Sequence, residues 1–445
     1  MSFLSLFLAS TVVVNLTSDH PDAFYKLGEL CVFEVTGLVD TNGTLAAEGG
    51  YDYLIDDGGD NVLARGHVDF AAANPVKIVY PIERPGFARL RILNAYKFDR
   101  FGLPVQRARD WSVGCEADGI EKGSPSPADF DEFWAQAKAE CAKIPLDPEM
   151  IKSESLCTAD WDVYAVSFAT VGKNKRVYGV MSVPKGEKGK KYPLSVEVPG
   201  AGFGDFSQFI KPKKDRIVLF MGVFPWTPGR GVNKLDQKSN FDNLQAACKA
   251  YYGGKAGDMT YPVNRLDENR EDYYFYPYIL GIERAVEWAA SRPDVDQENI
   301  WYKGTSQGGY FGIVLTALNR RFTRAAFFVP AGTDMLGCLK GRASGWPRPM
   351  QSFAFDPEKQ AKAVANAPYF DAANFASRIT CPCTFVVGLA DECCPPSCVY
   401  ATYNEVKAAD KEILPCPGMT HSVSGDVYKR VGAWLRTGDR AKIHE

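Results

Sequence analysis

Two regimes of hydrophobic patterning divide the chain. From residue 11 to about 112, short runs rich in β-branched and aromatic residues follow one another, among them "YKLGELCVFEVTGLVD", "VLARGHVDFA" and "VKIVYPIERPGFARLRILNAY". Gly, Asn, Asp and Pro punctuate them closely, which predicts the strands of a β-sandwich. A linker-like stretch, Gly123 to Pro127, comes next. Ser126 with Asp129 three residues later reads as a capping box, with Pro127 at the first helical position. Phe130, Phe133, Trp134, Ala137 and Cys141 then recur at helical spacing, an apolar face that packs on the following domain.

From Trp161 onward, strands alternate with helices. Apolar runs predict strands at Tyr164–Thr170, Val177–Val183, Leu194–Val198, Ile217–Val223, Ile300–Lys303, Ala325–Val329, Thr384–Val387 and Glu412–Leu414. In "YYFYPYILGIERAVEWAASRP", Tyr278, Ile282, Ala285, Val286 and Ala289 share one helical face, and a proline ends the run. "QGGYFGIVLTALNRR" and "VSGDVYKRVGAWLRTG" read as helices too. Short apolar strands between helices predict an α/β fold, a mostly parallel sheet covered on both faces. The expected organisation is a leader at 1–10, a β-sandwich at 11–115 and a catalytic α/β domain at 116–445.

Parallel α/β sheets bind ligands beyond the carboxyl ends of their strands. "IWYKGTSQGG" puts Ser306 at such an end, between a strand and a helix. Gly304 and Gly308 flank it at two residues' distance, where side chains would collide in a tight elbow. A serine hydroxyl needs a base. Of the four histidines, His20 and His67 lie in the β-rich region and His444 is penultimate. His421, in the loop "LPCPGMTHSVSG", remains. The orienting acid is expected past the strand in "CTFVVGLADECCPP": Asp391, with Glu392 the alternative. The order Ser306, Asp391, His421 is that of α/β-hydrolases. For the oxyanion hole, Gln307 supplies one backbone N–H and Ala201, beside Gly200 and Gly202, supplies the second. No Lys-Ser/Thr follows that glycine-rich loop, so phosphate binding is not indicated.

Composition narrows the partners. The 445 residues carry 51 Lys and Arg against 54 Asp and Glu, a formal charge of -3, which gives no electrostatic case for nucleic acid or an anionic membrane. No apolar stretch reaches the roughly 18 to 20 residues of a transmembrane helix. The apolar start "MSFLSLFLASTVVVN" reads as the remnant of an export signal, hence a periplasmic or extracellular protein, with a disordered leader before a first strand, and a cytoplasmic location, as the alternative. Among twelve cysteines, Cys381, Cys383, Cys393, Cys394 and Cys398 crowd together without the Cys-x2-Cys pairs of a zinc site, so no metal is expected there. Cys381 and Cys383 read as buried small hydrophobes; a disulfide is the alternative.

Several stretches together resemble the acetyl xylan esterase / cephalosporin C deacetylase family of α/β-hydrolases: "SPADFDEFW", "AVEWAASRPDVDQENIWYKGTSQGG", "GLADECCPPSCVYATYNEV" and "MTHS". The resemblance covers about residues 125 to 437. It implies removal of acetyl groups from xylo-oligosaccharides and other small acetylated compounds through a serine acyl-enzyme, without a cofactor. Its triad falls on Ser306, Asp391 and His421, and its members often assemble into homo-oligomers. The chain departs from the family in three places. Pro199-Gly200-Ala201 stands where His-Gly-Tyr is usual, "GVFPWTPGRGVNKLD" replaces an Arg-Gly-Gln motif, and Ser422 replaces the glutamate after the histidine. Trp226, Trp346 and Tyr310 are candidates to stack on a sugar ring, or loop aromatics that close the core. The alternatives in function are a peptidase or longer-acyl esterase on the same fold, and a non-catalytic carbohydrate-binding protein.

Overall fold

The computed structural model describes residues 11–38, 50–59, 61–93, 97–98, 104–108, 110–153, 156–172, 175–186, 189–201, 212–223, 263 and 265–445. The expected leader at 1–10, Gly202 and Trp226 lie outside the described residues.

Ten strands precede residue 116 among the described residues: β1 (Thr11–Ser18), β2 (Phe24–Tyr25), β3 (Leu30–Gly37), β4 (Gly50–Asp56), β5 (Val62–Asp69), β6 (Val76–Pro81), β7 (Gly86–Ile92), β8 (Lys97–Phe98), β9 (Pro104–Ala108) and β10 (Trp111–Cys115). They form two five-stranded sheets, ordered β6-β3-β1-β9-β8 and β2-β10-β7-β4-β5. Alternate residues of β3, Cys31, Phe33 and Val35, are fully buried, as period-two patterning requires. They share one apolar core with Ile55, Leu90 and Val113 of the other sheet.

Nine described strands belong to the second unit: β11 (Glu149–Lys152), β12 (Trp161–Ala169), β13 (Arg176–Pro184), β14 (Tyr192–Val198), β15 (Ile217–Met221), β16 (Val295–Thr305), β17 (Arg324–Phe328), β18 (Cys383–Gly388) and β19 (Lys411–Cys416). Their order is β11-β12-β13-β15-β14-β16-β17-β18-β19. Pairing is antiparallel from β11 through β15 by way of β12 and β13, then parallel from β15 to β19. All eight strands expected from the apolar runs are present. β11, exposed at every position, is an additional edge strand that no alternation announces. The chain goes from β14 to β15 on one side, then crosses back to β16 on the other. The crevice beyond the ends of β14 and β16 is therefore the topological switch point, where ligands bind in such sheets.

Helices cover the sheet: α1 (Phe130–Ala142), α2 (Tyr276–Ala290), α3 (Gln307–Leu318), α4 (Pro357–Phe370), α5 (Ala372–Ala376), α6 (Pro396–Glu405) and α7 (Gly425–Thr437). The apolar faces read from the sequence are the buried ones but for Phe133, which is partly buried: Phe130, Trp134, Ala137 and Cys141 on α1, and Tyr278, Ile282, Ala285, Val286 and Ala289 on α2. The capping box is a correction. The helix begins at Phe130 after a turn in which Phe130 N donates to Pro127 O at 3.1 Å, and Ser126 Oγ bonds Asn374 Oδ1 at 3.1 Å instead of capping. No described helix is long and apolar enough to cross a membrane.

The N-terminal sheets touch the second unit along one side. Phe24 and Phe87 pack on Tyr400 of α6, at ring distances of 6.2 and 5.5 Å. Ser112 N donates to Pro417 O at 3.4 Å, and Trp111 lies so close to Gly418 that an added Cβ would sit 3.0 Å from its ring. Arg89 of β7 is buried and forms a two-pronged pair with Asp56, both bonds 3.0 Å, while its Nη1 faces Glu392 at 3.7 Å.

Beyond β17, two buried carboxyls organise the loop that runs to α4. Asp371 Oδ1 caps α5 through Ala373 N at 2.9 Å, and Oδ2 accepts from Met335 N at 2.6 Å. Asp334 lies beside it and pairs with Arg342 at 2.8 Å. Burial first, and the Asp334 charge second, push the Asp371 carboxyl up to about 7. In the unfolded chain an aspartate titrates near 3.9, so between roughly pH 4 and 7 the folded state holds a proton that the unfolded state has released. This group's contribution to stability is therefore lost as pH rises across that window. We expect Asp371→Asn to flatten the fall of melting temperature between about pH 5 and 7; an unaltered slope would exclude this assignment.

Candidate active site

Ser306 stands between β16 and α3 with φ +58° and ψ −119°, a strained backbone for any residue but glycine. Its surroundings impose that conformation. Ser306 N donates to Phe328 O at 2.9 Å, and its carbonyl accepts from Tyr310 N at 3.0 Å and Ala331 N at 2.9 Å. The flanking glycines are sterically required. A Cβ on Gly304 would meet Gly308 O at 2.4 Å, and one on Gly308 would meet Val198 O at 2.2 Å. This is the strand–elbow–helix arrangement that lifts a hydroxyl above the sheet.

His421 comes from the loop between β19 and α7. Its Nε2 is 2.9 Å from Ser306 Oγ, and its Nδ1 is 2.8 Å from Asp391 Oδ2. Asp391 follows β18 and is buried, while the imidazole is about one-third exposed. The other carboxylate oxygen, Oδ1, accepts from Cys393 N and Cys394 N, each at 2.9 Å. Burial pushes the Asp391 carboxyl up, and the His421 bond and the Cys394 amide oppose it. Asp391 in turn raises the imidazole well above its ordinary value, with the Cys393 thiol as the second cause. That shift favours the imidazolium, the form a base reaches on taking a proton.

The other candidates separate clearly. Glu392 points away, 65% exposed, toward Arg89 and Arg91 of β7 at 3.7 and 3.6 Å, and Arg348 Nη2 donates to its carbonyl. His20 stacks on Tyr25, His67 pairs with Asp52 at 2.9 Å, and His444 pairs with Glu412 at 2.8 Å. Gln307 opens α3, fully buried, and its Nε2 donates to Pro199 O at 3.3 Å. The Pro199–Ala201 turn lies against the elbow: a Cβ on Gly200 would be 3.9 Å from Ser306 Cβ. Ala201 is exposed at the rim.

Tyr310 is a correction. It is fully buried, with its ring 5.4 Å from both Phe275 and Phe311, so it is core and presents no face to a sugar. Trp346 is half-buried, its ring 6.5 Å from Phe275, in the loop between β17 and α4. Two residues were not placed beside the site from sequence. Cys393 sits beside His421, and its thiol is drawn well down by the Cys394 thiol first and the imidazole second. Tyr428 of α7 bonds Thr305 Oγ1 at 2.6 Å, one residue before the serine. The cysteine doublet after Asp391 was a visible signal for the first; nothing in the sequence marked the second. The eleven described cysteines are all free thiols.

This geometry has relatives. The chain is 29% identical over 426 residues to the acetyl esterase Axe7A of Xylanibacter ruminicola, covering 94% of this chain and 89% of that protein. Its fold matches the acetyl xylan esterase from Paenibacillus sp. R4, with a TM-score of 0.58 and 23% identity over 72% of this chain and 98% of that one. It also matches acetyl xylan esterase 1 from Thermoanaerobacterium, with a TM-score of 0.57 and 21% identity over 72% of this chain and 96% of that one. Residues 120–437 match the model of the acetyl xylan esterase (AXE1) family, and since that span is most of the chain, the protein belongs to the acetyl xylan esterase family.

Proposed function

We propose that this chain is a serine carboxylesterase that removes acetyl groups from acetylated xylo-oligosaccharides or related carbohydrates through an acyl-enzyme. Membership of the acetyl xylan esterase family makes it a carboxylic ester hydrolase acting on carbohydrate acetyl esters. The observation that carries the mechanism is the unbroken hydrogen-bonded chain from Ser306 Oγ through His421 to buried Asp391.

In this reading, His421 Nε2 takes the Ser306 proton as Oγ attacks the acetyl carbonyl. Asp391 holds the ring by Nδ1 and stabilises the imidazolium; it is not itself protonated. The N–H groups of Gln307 and Ala201 receive the oxyanion. Support for Gln307 is its place at the first turn of α3, whose free N–H groups and dipole favour negative charge. Support for Ala201 is the close approach of the Pro199–Ala201 turn to Ser306. The imidazolium then protonates the departing sugar hydroxyl, and a water activated by His421 releases acetate. Trp346, half-buried beyond β17, is the remaining described candidate to line the sugar subsite.

The test is chain-length selectivity together with acetate release. We expect p-nitrophenyl acetate to be cleaved with a kcat/KM at least about tenfold above the butyrate, since each misfit methylene is worth about 1–3 kcal/mol in a small acyl pocket. Acetylated xylo-oligosaccharides should release acetate, and peptides should be untouched. Preference for butyrate, or peptide cleavage, would reject the proposal.

A further inference from the structure

Five cysteines crowd between residues 381 and 398, and their fates differ. Cys381 and Cys383 are buried at the start of β18, and Cys398 is buried with its Sγ 3.2 Å from Ala343 O. Cys393, partly exposed, and Cys394, buried at 1% exposure, occupy the turn whose backbone amides hold Asp391. That turn brings both thiols to the histidine. Cys393 Sγ, Cys394 Sγ and a His421 ring nitrogen all lie within 4.8 Å of one another. It is the one group of three such donors found among the described residues.

We propose that Cys393, Cys394 and His421 bind a soft divalent cation of the zinc type, and that its binding silences the esterase by taking His421 from Ser306. The inhibitory half of this proposal rests on the serine-esterase reading above. Zinc takes thiolate sulfur at about 2.3 Å and imidazole nitrogen at about 2.0–2.1 Å in a tetrahedral set, so its ligand atoms stand roughly 3.5–3.8 Å apart. Donors within 4.8 Å reach that spacing by a shift of about an ångström, and Cys393 and His421 are both partly exposed and accessible to an incoming ion. Two thiolates and an imidazole suit a borderline-soft ion and exclude calcium or magnesium, which demand oxygen. Each thiol gives its proton to solvent as the ion binds, and the two thiolates balance its charge. Three protein ligands leave one position for water.

The competition with catalysis follows from the ring's two nitrogens. Metal-bound histidines donate the other ring N–H to a carboxylate. Asp391 already holds Nδ1 at 2.8 Å, so Nε2 is the nitrogen presented to the ion. Nε2 is also the atom 2.9 Å from Ser306 Oγ. The same lone pair cannot serve a cation and accept the serine proton. The spacing of the cysteines in sequence conceals this site, because its third ligand arrives from the β19–α7 loop.

Cobalt(II) and zinc(II) added to the metal-free full chain test both halves. We expect one cobalt per chain with a thiolate-to-cobalt charge-transfer band, lost in Cys393→Ala. We expect zinc to inhibit p-nitrophenyl acetate hydrolysis by wild type. With each protein normalised to its own metal-free rate, Cys393→Ala should need at least about tenfold more zinc. Cys393→Ser, of nearly the same shape, should resemble the alanine variant. Absence of the band at one equivalent, or equal zinc sensitivity in wild type and both variants, overturns the site. A band without loss of rate overturns the inhibition. If the metal-free chain does not hydrolyse acetyl esters at all, the esterase reading fails separately, and the cobalt band still decides the ligand set.

Discussion

Ser306→Ala is expected to lower kcat/KM for acetyl esters by roughly ten-thousand- to million-fold, the range seen when the nucleophile of a hydrogen-bonded triad is removed. What survives should come from binding and oxyanion contacts alone. The substitution leaves the fold intact, because the three backbone hydrogen bonds that shape the elbow do not involve Oγ. It also leaves the strain in place, since alanine at φ +58° is as uncomfortable as serine. Ser306→Gly separates the two effects: equally inactive, but more stable than the alanine variant by about 1–3 kcal/mol, because glycine adopts that conformation freely. Calorimetry of the two variants beside an acetate-release assay checks both. An alanine variant with turnover near wild type would remove Ser306 from the mechanism.

The second large effect is expected at Asp391. Asp391→Asn should reduce kcat by about four orders of magnitude, since an amide presents the wrong donor to Nδ1 and favours the unproductive tautomer. Glu392→Gln, one residue further on, should stay within a few-fold of wild type. Its side chain is 65% exposed and faces Arg89 and Arg91. A comparison of kcat for the two variants at a pH near neutrality distinguishes them. Comparable losses at both positions would mean that the acid is not assigned to a single residue.

Much of this was legible in the sequence because the second unit is patterned consistently. Apolar runs of three to seven residues, the later ones separated by helices, give the strands of a buried, mostly parallel sheet, and all eight expected strands appear among β12–β19. The serine, carboxylate and histidine that lie in hydrogen-bond contact could be picked out because chain order, strand ends and a small set of histidines restricted the choices independently. Other features lacked such constraints. β11 is exposed throughout and reads as polar loop. Tyr310 belongs to a helix buried on nearly every side, so no polar face told which way its ring points. Within the doublet Asp391-Glu392 the sequence prefers the aspartate without a contact to argue from; those contacts are the His421 bond and the Cys393 and Cys394 amides that fold back onto Asp391. The nearness of Cys393 to His421 depends on two loops from different strands, which no local pattern records.

The side-by-side contact of the N-terminal sheets with the second unit bears on how interchangeable such a unit can be. Arg89 of β7 faces Glu392, the residue after Asp391, and Trp111 of β10 lies against Gly418, three residues before His421. One neighbour therefore braces both loops whose mutual distance sets the Asp391–His421 bond. A lineage that exchanged these sheets for an unrelated accessory module would also have to reinvent that brace. The arginine and the tryptophan are the positions at which a chimeric protein would first betray a poor match.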